Sequence, residues 1–214
     1  MDRDRFHTDI ARILLVQSLK IQPGERVFID VMDTDAYEFV NVLHRESLIR
    51  WAASVDVWWN TDSLRDNLRN VANASQASAS LDGILERVKK CDVYIKLKSW
   101  KEIPTNEAEH MLDYTSKLRP ILNLYANSSI RRVLFYYPGS RLANRVGMSR
   151  THLIDYVYDI CCRHDWDSIQ KLNSYIISLL QKTKTVKIEW KDTLLEVWIS
   201  PKIPIISSHG VRNI

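Results

Sequence analysis

Glycine is scarce in this chain: five in 214 residues, none of them in a GxGxxG pattern or a glycine-rich P-loop. Such loops need glycine where backbone N–H groups close on a phosphate, so nucleotide-cradling chemistry has no support. Six prolines and five glycines likewise leave no material for long flexible linkers. The three cysteines, Cys91, Cys161 and Cys162, are too few for a disulfide scaffold and fit a reducing, cytoplasmic setting. No run approaches the roughly 18 apolar residues of a membrane span, and the opening Met1-Asp2-Arg3-Asp4-Arg5 is unlike a signal peptide. Net charge is small, +4 spread along the chain, well short of a nucleic-acid footprint. The patterns GxSxG, CxxC, HxxxH and HExxH are all missing.

What is present is 45% hydrophobic residue, ordinary for a globular protein and enough for a substantial core. Phe6, Ile10, Ile13, Leu14 and Leu19 recur at helical spacing up to the Pro23-Gly24 turn. Short β-type runs follow at Arg26-Val31, Ser54-Trp59, Val93-Leu97 and Arg132-Tyr137. Between them lie helical patterns: one opened by an Asp35–Glu38 capping box with Tyr37, Val40, His44 and Leu48 on a face, a weaker one around Leu64 and Leu68, and a firm one through Leu81, Ile84, Leu85 and Val88. A further helix is predicted from Asn106 to Lys117. Alternation of this kind predicts an α/β fold with an open, mostly parallel sheet flanked by helices. The apolar Arg132-Tyr137 run predicts a strand covered on both faces.

Two more helices are predicted, Ser149 to Cys162 and Asp167 to Lys182, the latter with Ile169, Leu172, Ile176 and Leu179 on one stripe. The period then changes to two: Val186, Ile188 and Trp190 alternate with polar residues, as do Leu195, Val197 and Ile199. That is an antiparallel pair, the expected start of a second, truncated domain. The division expected is an α/β domain over 1–148, a helical connector over 149–184, and the beginning of a β-containing domain over 185–214.

Chemistry-bearing clusters are weak. His152, Cys161, Cys162 and His164 are metal-capable, but Cys161 and Cys162 point about 100° apart on a helix and His152 lies over two turns away. Asp30, Asp33 and Asp35 follow the first strand, where α/β sheets place ligands; helix capping is the commoner employment of such residues. Pro138-Gly139-Ser140-Arg141 is a turn with a cation after the fourth strand, fit either to hold an anion or to stand solvated. Trp58, Trp59, Trp100, Trp166 and Trp198 are expected to pack, with at least one of Trp58 and Trp59 facing the core. No residue is assigned a catalytic, cofactor-binding or metal-binding role.

Several segments carry a resemblance. Ala11 to Val27 is a helix, a Pro-Gly turn and a strand; Tyr137-Pro138, Arg145-Val146-Gly147-Met148-Ser149 and Asp165-Trp166 follow in order; Ser208-His209-Gly210-Val211-Arg212-Asn213-Ile214 ends the chain. Together these resemble the amino-terminal part of the M29 metalloaminopeptidases, the aminopeptidase T and thermophilic leucyl aminopeptidase family. The resemblance implies a dimeric, two-metal exopeptidase (zinc, cobalt or similar ions) that hydrolyses amino-terminal residues from peptides. Its metal ligands follow an Asn-Met-Pro-x-Gly-Glu motif, which Asn213-Ile214 only begins. The expectation is therefore a chain inactive alone, with the alternative of a free-standing, non-catalytic α/β binding module.

Overall fold

The computed structural model describes residues 2–70, 72, 74–98, 100, 129–200, 202 and 205. The helix expected at Asn106–Lys117 and the ending from Ser208 lie outside the described residues. In chain order the elements are α1 (Arg3–Arg12), a π-helical turn (Ile13–Ser18), β1 (Arg26–Val31), a 3-10 turn (Thr34–Ala36), α2 (Tyr37–Ile49), β2 (Ser54–Trp59), α3 (Asp62–Asn70), α4 (Ala74–Lys90), β3 (Val93–Lys98), β4 (Arg131–Tyr136), α5 (Ser140–Val146), α6 (Arg150–Cys162), α7 (Trp166–Leu180), β5 (Thr185–Trp190) and β6 (Thr193–Trp198).

The first four strands form one parallel sheet in the order β2-β1-β3-β4. Their alternating side chains feed two different layers. On one face Val27, Ile29, Val31, Val93, Ile95, Leu97, Val133 and Phe135 meet α1, α2 and α6 in the larger core. On the other, Phe28 and Tyr94 stack at 5.6 Å and pack with Ile84 and Val88 of α4. Each such fully buried apolar side chain contributes about 1.5–3 kcal/mol of transfer free energy. This is an α/β domain with helices on both faces of a parallel sheet.

Three local departures from the expected pattern have physical causes. The first helix does not run regularly to Pro23-Gly24: it widens into the π turn, with Leu19 N–H donating to the Leu14 carbonyl at 2.9 Å. The extra residue brings Leu14, Leu15 and Leu19 all into the core. In α2 the buried stripe is Phe39, Val40, Leu43 and Ser47, not the face of Tyr37 and Leu48, which are 61% and 48% exposed. The 3-10 turn ahead of α2 resets where that helix begins. In β4, at the sheet edge, Val133 and Phe135 are buried while Leu134 and Tyr136 are 47% and 40% exposed, so among the described residues only one face of the strand is well covered.

Below the sheet, Arg131 donates to the Leu19 and Lys20 carbonyls at 2.6 and 2.8 Å and pairs with Glu25. One guanidinium thereby satisfies orphan carbonyls where the first helical segment ends and ties them to β4. Beyond β4, Gly147 takes φ +68° and ends α5 in the left-handed conformation that only glycine adopts at little cost. Ser149 caps α6, accepting from His152 N–H at 3.2 Å, and Asp165 caps α7. Tyr158 donates to Asp9 at 2.8 Å, holding α6 against α1.

Past α6 the packing changes character. Among the described residues α7 contributes no buried side chain, and Leu172, Tyr175, Ile176 and Leu179 are all exposed. The β5–β6 hairpin is a separate two-stranded antiparallel sheet, with Val186 opposite Val197 and Ile188 opposite Leu195. Trp190 and Trp198 stand more than 70% exposed.

Candidate functional site

In parallel α/β sheets ligands gather beyond the carboxyl ends of the strands, at the point where strand order reverses. Here that point lies between β1 and β3, and Asp33 and Asp35 follow β1 directly. The structure gives each carboxylate a partner within the protein. Asp33, not Asp35, is the cap: it accepts from the Asp35 N–H at 2.9 Å at the head of the 3-10 turn. The predicted Asp35–Glu38 capping box does not form, because the 3-10 turn takes Asp35 inside the helical segment and leaves Glu38 to pair with Arg3 at 3.3 Å.

Asp35 instead reaches across to the turn after β4 and accepts from the Ser140 N–H at 2.7 Å. That backbone bond holds its carboxyl below the usual carboxylate range. Gly139 leaves room for both carboxylates at this joint. A Cβ there would stand 2.7 Å from Asp33 Oδ2 and 3.1 Å from Asp35 Oδ2, so both carboxylates would have to shift to admit it. The Pro138-Gly139-Ser140-Arg141 turn thus holds an anion, and the anion is the protein's own carboxylate. Arg141 is solvent-exposed yet paired, with Asp62 of α3, which also takes Arg65. Against the upward pull of its burial, these two guanidiniums keep the Asp62 carboxyl below its ordinary value.

Two buried polar groups, His7 and Asp30, take up partners that the sequence patterns do not show. His7 lies on the apolar stripe of α1, 1% exposed, with Nε2 3.0 Å from the Tyr137 hydroxyl. Phe6, Phe39 and Tyr137 surround its ring. Burial pushes the imidazole down from its usual value and the Tyr137 phenol up, so both are neutral at pH 7. On the opposite face, Asp30 is 1% exposed and accepts from Tyr94 at 2.6 Å beside Lys96 Nζ at 3.0 Å. Cross-strand register places these side by side, since Asp30 of β1 pairs with Lys96 of β3. Period-2 alternation finds the strands but not this pair, because charge inside a strand reads as a solvent face.

The metal-capable residues do not converge. Cys161 and Cys162 pack against the larger core, and burial raises the Cys161 thiol and lifts Cys162 to about 12. His152 and His164 are exposed, and His164 meets the edge of Trp166 at 6.2 Å. The Trp166 indole donates to the Cys161 carbonyl at 2.7 Å, closing the end of α6. Among the described residues no group of three or more His, Cys, Asp or Glu side chains could hold a metal ion. The two-metal centre implied by the resemblance therefore does not fit the residues described. Among the tryptophans, Trp59 packs on the larger core and Trp58 on the smaller, each partly buried. Trp100 lies under the Arg145 guanidinium at 5.4 Å. Among the described residues no helix is long and apolar enough to cross a membrane.

Fold and site together define an α/β domain whose loops at the strand ends are tied to one another, followed by a separate antiparallel hairpin. No protein-family model matches the chain, and no curated protein does. Among solved structures, it is similar to wild-type AmpT from Thermus thermophilus, with a TM-score of 0.70 at 13% identity. The similarity covers 92% of this chain and 54% of that one, so the chain spans about half the length of the protein it matches. At that identity the likeness shows the fold.

Proposed function

We propose that this chain is the scaffold half of a metal-dependent aminopeptidase-like hydrolase, with the metal-binding half supplied outside the described residues. The observation that carries the reading is the overlap with AmpT, an aminopeptidase, which takes in nearly all of this chain and about half of that one. Two further observations support it. The carboxylates at the strand ends are engaged with backbone and arginine partners, which suits a scaffold. The apolar faces of α7 and the β5–β6 hairpin stand exposed, the condition of surfaces that another domain or another copy covers.

The test is peptidase activity and metal content together. The 214-residue chain, incubated with Co2+ or Zn2+ and a panel of aminoacyl p-nitroanilides, is expected to release no product and to retain no stoichiometric metal. The same chain extended by whatever the source DNA encodes downstream is expected to gain both, and to lose activity with a chelator. Inactivity of the extended protein overturns the enzymatic reading.

The completeness of the α/β core favours a second reading, a stand-alone interaction module. That reading requires the 214-residue chain to melt in one cooperative transition without metal, with the hairpin protected from proteolysis. A hairpin cleaved well below the melting temperature of the α/β layer overturns it.

A further inference from the structure

The β5–β6 hairpin has two open edges, since among the described residues neither strand has a second neighbour. A two-stranded hairpin is marginal in water unless more strands or a packed face support it. Here Ile188 is 51%, Leu195 50% and Trp190 71% exposed, so its apolar face is not packed. An open edge is a template for another strand, and its backbone groups and flanking side chains decide which. Ile199 N–H donates to the Lys184 carbonyl at 2.9 Å, so the even-numbered residues of β5 turn their backbone groups toward β6. By antiparallel alternation, those of Thr185, Lys187 and Glu189 point to the free edge.

We propose that the free edge of β5 is a self-recognition surface, on which a second copy of this chain docks by antiparallel β5–β5 pairing across a two-fold axis at Ile188. The residues of the strand select that register. An axis at Ile188 sets Lys187 opposite Glu189 of the second copy, and by symmetry the reverse. The same axis sets Ile188 on its own copy, Val186 opposite Trp190, and Thr185 opposite Lys191. An axis one residue earlier opposes Lys187 to itself. One residue later, Glu189 meets itself and Lys187 meets Lys191. Axes between residues put apolar positions opposite charged ones and mix the two faces of the sheet. The β6 edge is poorer: an axis at Glu196 opposes like charges, and one at Leu195 leaves Glu196 opposite Leu194.

Within the hairpin Lys187 already stands opposite Glu196, so in the four-stranded sheet each Lys187 lies between two glutamates. On the other face Leu195 and Ile188 join their copies in one apolar row, flanked by Val186, Trp190 and Val197. Pairing thus supplies the strands and the continuous apolar face that the hairpin lacks alone. The inference does not rest on the peptidase reading, and its readout is a covalent dimer, not activity.

The test is covalent capture with the whole 214-residue chain. Ile188 would face its copy in a pair without mutual hydrogen bonds, with Cα atoms about 4.5 Å apart, a separation that suits a disulfide. Ile188→Cys is therefore expected to yield a covalent dimer on mild oxidation. Leu195→Cys, on the same face but three strand spacings or about 14 Å from its copy, is expected to link about tenfold more slowly. Glu189→Lys, whose neighbour within the hairpin is the neutral Leu194, is expected to weaken association in sedimentation equilibrium about tenfold, because like charges then meet at both symmetry-related pairs. Lys187→Glu alone is expected to weaken it as well. An equimolar mixture of these two variants is expected to regain wild-type association, since each then meets its opposite charge. None of these positions belongs to the α/β core, so circular dichroism melts of that layer are expected to be unchanged. A wild-type chain that stays monomeric, equal linking by the two cysteine variants, or a mixture that associates no better than its components each overturn the proposal.

Discussion

The α/β layer and the α7–hairpin arm are built from similar amphipathic patterns, yet the two regions bury them differently. In α2, Phe39, Val40 and Leu43 recur at helical spacing and are at most 3% exposed. In α7, Leu172, Tyr175, Ile176 and Leu179 recur at the same spacing and are 42–60% exposed. Periodicity therefore states which face of a helix wants a partner; only the surrounding fold states whether the partner is there. The layer has its partners within the described residues and the arm does not, so stability should reside in the first and association in the second.

The comparison is broken most directly by truncating one ring in the layer. Phe39 touches His7, Phe135 and Tyr137. Phe39→Ala is expected to cost about 3–5 kcal/mol in urea unfolding, enough to threaten the fold. A loss under about 1 kcal/mol would mean that the layer is loosely packed and no different in kind from the arm. Next in size is the joint between loops. Gly139→Ala keeps an allowed φ of −79° but drives a methyl group into the Asp33 and Asp35 carboxylates, and is expected to cost about 2 kcal/mol. An unchanged urea midpoint would show that the two loops part without penalty.

A smaller effect sharpens the comparison by pH. The buried imidazole of His7 titrates lower in the folded chain than in the unfolded one, chiefly through desolvation, with Glu38 and Asp4 opposing and Arg3 and Arg150 assisting. As pH falls below about 6.5 the unfolded state takes up the proton first, so stability declines from there toward the folded pKa and is flat above. His7→Gln retains a partner for Tyr137 and is expected to remove that part of the slope; a wild-type midpoint unchanged between pH 7.5 and 5 would place no buried neutral histidine in the layer. The smallest effect on stability is expected in the arm. Leu172→Lys combined with Trp190→Lys should move the urea midpoint by less than about 0.5 kcal/mol while reducing self-association in light scattering. A wild-type chain that stays monomeric at high concentration removes the association half of the comparison.

Much of the layer was legible in the sequence because strands announce themselves locally. Arg26–Val31 and Ser54–Trp59 form where β-branched and aromatic runs end in polar residues, and the β5–β6 hairpin forms where the apolar residues alternate with polar ones on both sides of Lys191-Asp192. The short α5 was not legible: Ser140-Arg141 looks like a solvated turn until the fold brings Asp35 and Asp62 to it across more than 75 positions. For the same reason Asp35 passed for a local cap when its partner was remote. His7 was hidden by its company, since a lone imidazole on an apolar stripe follows the stripe's period. The Asp30–Lys96 pair is a product of strand register, which no single strand encodes.

The π turn at Ile13–Ser18 has a consequence for how this chain can change. One surplus residue acts as a phase shift, turning everything after it by about 100° relative to a regular helix. The stripe that begins with Phe6 and Ile10 and the stripe that ends with Leu15 and Leu19 are therefore two separate tracks set side by side. Removing one residue from the turn would give a more regular helix and a worse protein, for only one track could then stay aligned with the sheet. An insertion or deletion here trades one half of the helix against the other, so this segment should resist length changes more firmly than it resists substitution.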